Sequence, residues 1–271
     1  MSAPDYSAWI GRVESKRDVI APAPLRGLAA LLDHDPERWM EGAIPPLAHW
    51  LYFLPTAPQS ELGPDGHPAR GGFLPLVALP RRMWAAGRMT FHAPLAVGDS
   101  VERTSTIRGV TEKAGSSGPL VFVTVAHTIK ANGALAIEEE QDIVYRDVAP
   151  SAPKPLAPET KRAERERVIE PDPVLLFRYS ALTFNAHRIH YDQAYAAAQE
   201  GYPELVAQGP LIATLLMDHY LRAGAAAAPR SFSFRAERPL FAGGQAMLCA
   251  SGDELWCRNA AGETVMSAKV S

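Results

Sequence analysis

Cysteine is scarce: Cys249 and Cys257 are the two present in 271 residues. Two thiols are too few for a disulfide scaffold or a zinc site of their own, and they read as reduced, buried side chains. No His-Glu-x-x-His and no Cys-x-x-Cys occurs, so metal-ligand spacing is not evident. Gly-x-Gly-x-x-Gly and Walker-type loops are missing, which argues against a nucleotide-driven reaction. A Gly-x-Ser-x-Gly elbow is also missing, which argues against a serine thioesterase of the α/β-hydrolase type. No apolar run approaches the ~20 residues that cross a bilayer. The opening Met-Ser-Ala-Pro-Asp-Tyr has no basic stretch followed by an apolar one, so a cytoplasmic protein without a membrane partner is expected. With a net charge of -3 and a pI of about 6.2, no basic excess exists to neutralise nucleic-acid phosphates. A local cluster of Arg or Lys for a phosphorylated ligand remains compatible with that balance.

Apolar residues make up 47% of the chain, enough for a sizeable core in one large domain or two small ones. Residues 5–20 predict an amphipathic helix, with Trp9, Ile10 and Val13 on one face. A second helix is expected through Leu25, Leu28, Leu31 and Leu32. An apolar, proline-bounded stretch follows at 45–54, then a Pro- and Gly-rich loop at 55–72. From Met89 the pattern becomes one of long antiparallel strands, with Ala131-Asn132-Gly133 as a tight turn. His92 and His127 fall in these strands and read as structural.

Residues 149–173 are rich in proline and charge and read as a linker, with Lys161 to Arg167 a solvated face. This divides the chain into an N-terminal unit at 1–148 and a C-terminal unit at 174–271. Helix-then-strand order returns after the linker, with strands expected at 231–237, 245–250, 254–258 and 264–270. Pro-Leu-x-x-Gly at Pro94 recurs at Pro239, and the Asn132-Gly133 turn is matched by Ala261-Gly262. Two diverged copies of one helix-plus-sheet unit are therefore expected.

The segment Phe184-Asn185-Ala186-His187-Arg188-Ile189-His190-Tyr191-Asp192, with Gln208-Gly209-Pro210 after it, carries the most chemistry. Histidine both takes and gives a proton near neutral pH. A Gly-Pro helix start presents free backbone N–H groups to a developing negative charge. Proline is tolerated there because its missing N–H is not needed. A proton carrier beside such a helix start suits addition or removal of water next to an activated carbonyl. Gly209 is the candidate oxyanion donor through its N–H. Asp192 reads as the cap of a helix beginning near Gln193.

These residues resemble the MaoC-like, R-specific enoyl-thioester hydratases, and the whole chain resembles the fused type 2 3-hydroxyacyl-thioester dehydratases. That group includes the mesaconyl-C4-CoA and itaconyl-CoA hydratases. The resemblance is carried by Tyr179 to Asp192, by His49-Trp50-Leu51-Tyr52-Phe53-Leu54-Pro55, and by Pro80-Arg81-Arg82-Met83-Trp84. It implies an α+β double hotdog: two antiparallel sheets side by side, each wrapping a central helix. The second such helix would run from Gly209 to about Arg222, burying Leu211, Leu215, Leu216 and Tyr220.

It also implies a hydro-lyase that adds water to a 2,3-enoyl-CoA, or removes it from a 3-hydroxyacyl-CoA, with no cofactor beyond coenzyme A in the substrate. A short branched dicarboxylic acyl group, as in mesaconyl-CoA or itaconyl-CoA, is implied, and a homodimer is expected. His190 takes the place of the family's catalytic His. Asn185 stands where the wider family has Asp, so it would orient water that His190 deprotonates. His187 would line the pocket, or bond a backbone carbonyl. Arg188 is exposed in the simplest reading, or would pair with a free acyl carboxylate; Arg81 and Arg82, with Arg88, would bind coenzyme A phosphates or be solvated at the surface. The first half has no counterpart of His-Arg-Ile-His-Tyr-Asp, so one active site per chain is expected. A hotdog thioesterase and a non-catalytic acyl-thioester binding protein are the alternatives. The thioesterase would need a carboxylate near the start of its helix, and residues 209–217 carry none.

Overall fold

Period-two alternation, rather than helical spacing, organises the N-terminus. The computed structural model describes residues 5–115, 118–147, 161–224 and 228–271. Where residues 5–20 were expected to be helical, a short turn at Ser7–Trp9 leads into strand β1 (Val13–Val19). Glu14, Lys16 and Asp18 turn inward while Val13, Ser15, Arg17 and Val19 stay exposed. A continuous ladder to a neighbouring strand, from Val13 opposite Thr106 to Val19 opposite Ser100, outweighs the weak helical stripe. Helix α1 (Pro22–Leu31) buries Leu25, Leu28 and Leu31 as expected.

Strand β2 (Arg81–Phe91) begins eight residues before the point where the sequence pattern changes, so Arg81, Arg82 and Arg88 lie within the sheet rather than ahead of it. The meander then continues through β3 (Ser100–Gly115), β4 (Gly118–Ala131) and β5 (Ala134–Arg146). Asn132 and Gly133 both take positive φ, 50° and 88°, which a two-residue hairpin turn requires.

Residues 149–160 of the expected linker lie outside the described residues. Its remainder is not a linker: β6 (Arg165–Ile169) pairs with a later strand, and Asp172 caps α2 (Pro173–Thr183) by accepting from the Leu175 N–H. Alternating Arg165, Arg167 and Ile169 fit a pleated edge better than a solvated run. Next come α3 (Gln193–Glu200), α4 (Gly209–Leu221), β7 (Ser231–Ala236), β8 (Ala246–Ser251), β9 (Glu254–Arg258) and β10 (Thr264–Val270).

The ten strands form one antiparallel sheet in the order β1-β3-β4-β5-β2-β7-β10-β9-β8-β6. The order reads alike from both edges inward, with β2 and β7 joining the halves. Leu95 accepts from the Ile44 N–H, and its repeat partner Leu240 accepts from the Ala207 N–H, both at 2.8 Å. The chain at 44 thus leads into the first half's central element as the chain at 207 leads into α4. The two elements differ: the first is a single turn at Ala48–Leu51, hemmed in by Pro45, Pro46 and Pro55, whereas α4 spans three and a half turns. Every residue of α4 from Leu211 to His219 is buried, so the helix is enclosed all round instead of resting on one face. Cys249 and Cys257 are buried and in no disulfide, and burial pushes the Cys257 thiol up to about 12, which makes it inert.

Candidate active site

Helix α2 ends on Phe184, whose left-handed backbone (φ 49°) turns the chain sharply; the Asn185 N–H then closes the turn on the Ser180 carbonyl at 2.9 Å. From there Asn185 Oδ1 accepts from the His187 N–H at 3.1 Å, which orients the start of the histidine segment. A short 3-10 turn, Arg188–His190, follows. It sends Ile189 and His190 inward and leaves Arg188 outside.

Nδ1 of His190 lies 2.6 Å from the Val206 carbonyl oxygen, and the Val206 N–H in turn donates to the Ile189 carbonyl at 3.0 Å. The segment before α4 is therefore bonded both to the His190 ring and to the backbone just ahead of it. Burial, with His187 and His67 nearby, pushes the His190 imidazole down to about 3, so the ring is neutral. Its Nε2 has no partner among the described residues, and His190 lines a cleft of about 1350 Å³.

Asn185, His187, Gln208, Gly209, Arg81 and Arg82 line the same cleft. Gln208 is fixed by donating to the Leu176 carbonyl and to Ser180 Oγ, each at 2.9 Å, so the start of α4 is tied to α2. The Gly209 amide has no hydrogen-bond partner among the described residues. A Cβ on Gly209 would meet the Trp84 carbonyl oxygen at 3.6 Å, ordinary contact, so packing alone does not demand glycine there. The helix start thus opens on the cleft where the two halves meet.

His187 is buried, with Nε2 at 3.2 Å from Glu200 Oε1. Its ring stands between His190, 5.3 Å away, and His67, 4.2 Å away. Arg188, expected at the acyl carboxylate, is not among the cleft residues. Its guanidinium pairs with Asp192 at 2.7 Å, donates to the Pro64 carbonyl at 3.2 Å and covers the Tyr195 ring. A three-residue 3-10 turn cannot point Arg188 and His190 the same way. Asp192 caps α3 by accepting from the Tyr195 N–H at 2.9 Å, as its sequence position suggests. Arg88 is held by Glu140 and Asp142 on the sheet surface.

The first half was expected to supply sheet surface and part of the acyl pocket, but one loop that it contributes here was missed. Residues 62–69 form a loop, closed by a bridge between Leu62 and Pro68, that docks on the histidine segment. The Arg188 N–H donates to the Asp65 carbonyl at 2.9 Å, and Gly66 (φ 87°) approaches Ala186 so closely that a Cβ would fall 1.9 Å from its oxygen. The loop brings His67 over His187, with His67 Nδ1 at 3.2 Å from Asp65 Oδ2. Burial pushes the His67 imidazole down to about 4, against the pull of Asp65. Burial alone would raise the Asp65 carboxyl, but hydrogen bonds from His67 hold it well below the usual carboxylate range. Asp65, His67 and His187 present ligand atoms within 4.8 Å of one another, close enough to hold a divalent cation. The one signal for this loop was Gly63-Pro64-Asp65-Gly66-His67-Pro68, a turn-rich run enclosing a histidine.

The thioesterase alternative finds no support in α4. Its one carboxylate, Asp218, is held by Arg167 at 2.9 Å and Arg222 at 2.8 Å and does not line the cleft.

Comparison with known proteins places this arrangement. A family described as hydroxyacyl-thioester dehydratase type 2 matches residues 47–242. A protein of Chloroflexus aurantiacus named mesaconyl-C(4)-CoA hydratase is 50% identical over 244 residues, covering 89% of this chain and 87% of its own. The crystal structure of HtdX from Mycobacterium tuberculosis superimposes with a TM-score of 0.68 at 22% identity, covering 96% of this chain and 99% of that one. A second protein of that organism, described as a double hotdog, gives a TM-score of 0.58 at 13% identity over 96% of this chain and 95% of its own. The chain belongs to the hydroxyacyl-thioester dehydratase type 2 family, hydro-lyases built here on the double-hotdog fold.

Proposed function

We propose that this protein hydrates a short, branched, dicarboxylic 2,3-enoyl-CoA such as mesaconyl-CoA, or dehydrates the matching 3-hydroxyacyl-CoA. The observation that carries the reading is His190, its tautomer fixed by Val206 and its Nε2 without a partner among the described residues, lining the same cleft as the partly exposed start of α4. The acyl group is argued from the 50% identical relative.

In the proposed reaction His190 Nε2 takes a proton from water, and the resulting hydroxide attacks C3 of the enoyl group. Asn185, whose Oδ1 is partly occupied by the His187 N–H, orients that water through its remaining hydrogen-bonding capacity. Negative charge moves onto the thioester oxygen, where the Gly209 N–H and the dipole of α4 hold it. His190 then returns the proton to C2 from the same face. A base kept so far below neutrality accepts a proton only as charge develops on the substrate beside it, so the two proton transfers are coupled to the oxyanion.

No cofactor is required by this scheme. We expect dialysis against a chelator to leave the rate unchanged; a rate lost and then restored by a divalent cation would place a metal at Asp65, His67 and His187. A homodimer and a cytoplasmic location belong to the same reading. The outer strands β1 and β6 have unpaired edges, and Val174, Phe177 and Phe184 expose apolar surface around α2, which supports association.

The testing assay incubates the protein with crotonyl-CoA and with mesaconyl-CoA, following enoyl absorbance and free thiol. Loss of absorbance without thiol release is expected. Thiol release without hydration would mean a thioesterase, and binding with neither signal would mean a non-catalytic binder.

A further inference from the structure

We infer that Arg81 and Arg146 form a subsite for the free carboxylate of the acyl group, the task sequence reasoning gave to Arg188. The inference rests on the acyl-thioester reading of the cleft.

Arg81 is 6% exposed, yet its guanidinium makes no hydrogen bond among the described residues, and its Nε is sealed from water without an acceptor. Its nearest acid is Glu200, at 3.9 Å, and that carboxylate is already engaged by His187 at 3.2 Å. A buried cation is normally paired and hydrogen-bonded, because desolvation otherwise costs several kcal/mol. Arg81 has only a loose share of one carboxylate and the face of Tyr202, 4.8 Å away.

A second cation deepens the deficit. Arg146 is the direct cross-strand partner of Arg81 in the β2–β5 ladder, and like charges so placed repel. Arg146 donates to the Tyr202 hydroxyl at 3.4 Å, and its Nε is also buried without a partner. Both arginines line the cleft, and Tyr202 packs against both. Two neighbouring guanidiniums, with one carboxylate beside Arg81 that His187 already engages, form a site that is one anion short.

The anion's source follows from position. Arg81 adjoins Glu200, Glu200 adjoins His187, and His187 stands 5.3 Å from His190. The site therefore belongs to the reacting end of the cleft. The phosphates of coenzyme A are held away from the thioester by the long pantetheine arm and are suited to exposed cations. A planar carboxylate near the double bond matches a guanidinium fork.

Binding of unreactive saturated thioesters tests this. Succinyl-CoA and butyryl-CoA carry identical phosphates and differ in the free carboxylate. Calorimetry on the wild-type protein is expected to show succinyl-CoA bound at least ~10²-fold more tightly, as for sites whose buried polar groups lose their partner. Arg81→Met is expected to remove most of that preference, and Arg146→Met part of it. Equal wild-type affinity for the two thioesters overturns the proposal, whether or not either variant folds. So does a preference that survives Arg81→Met, or equal weakening of both thioesters, which would place Arg81 at the coenzyme A phosphates. If the wild-type protein binds succinyl-CoA preferentially but hydrates nothing, the subsite stands and the hydratase reading fails.

Discussion

His190 Nδ1 and the carbonyl oxygen of Val206 are 2.6 Å apart, and this contact fixes the tautomer of the imidazole. A carbonyl only accepts, so Nδ1 carries the hydrogen and the lone pair is on Nε2, at the cleft. Because Val206 is three residues from the start of α4 by way of Gln208, the bond also sets the distance between His190 and the helix that would hold the oxyanion.

Asn185→Asp keeps the oxygen that accepts from the His187 N–H at 3.1 Å. The turn after α2 should survive, and the introduced carboxylate stands where the wider family has one. Hydration is expected to stay within about tenfold of wild type, smaller than the 10²–10⁴-fold effect of losing a general base. Steady-state kinetics with mesaconyl-CoA, beside a melting curve, checks this; a collapse of the rate with folding intact would contradict the assigned role.

Gly66→Ala places a methyl group 1.9 Å from the Ala186 oxygen and forces a side chain onto a backbone at φ 87°. A cost of about 1–3 kcal/mol is expected for such strain, relieved by lifting the 62–69 loop off the histidine segment. Activity should fall and KM rise more than global stability drops. An unchanged rate and KM would show that the loop takes no part in shaping the cleft.

Glu139 is buried in the first half, accepting from the His49 ring at 3.0 Å and the Trp50 indole at 3.0 Å. Burial alone would raise its carboxyl, but the His49 contact prevails and pulls it down to about 2 from an ordinary 4.5. A folded-state value below the unfolded one adds stability above pH ~4.5 that disappears as pH falls toward ~2, of the order of 3 kcal/mol. Urea midpoints measured across that window should drop steeply for wild type. Glu139→Gln should be less stable at neutral pH and lose less across the same window, the remaining slope coming from other depressed carboxylates such as Asp65 and Asp218; parallel curves would contradict the assignment.

Much of this was legible in the sequence where a local rule had no competitor. The strands from Ser100 to Arg146 and from Ser231 to Val270, the Asn132-Gly133 turn, the repeat marked by Pro94 and Pro239, and α4 after Gly209-Pro210 all follow from period, turn chemistry and helix starts. The histidine segment was legible because it resembles a known family. What escaped depends on distant partners. β1 is a strand because β3 lies beside it. The 62–69 loop meets residues 185–188 only through the fold, so no local pattern announces His67. Arg81 and Arg188 exchanged expected environments for the same reason: a strand start buried one of them, and a 3-10 turn exposed the other.

The most direct test of the whole account is the hydration rate of His190→Ala on mesaconyl-CoA, measured with a melting curve and thioester binding. A fall of at least ~10²-fold in kcat is expected, with folding and binding retained. A kcat within a few-fold of wild type would remove His190 from the reaction and contradict the central claim.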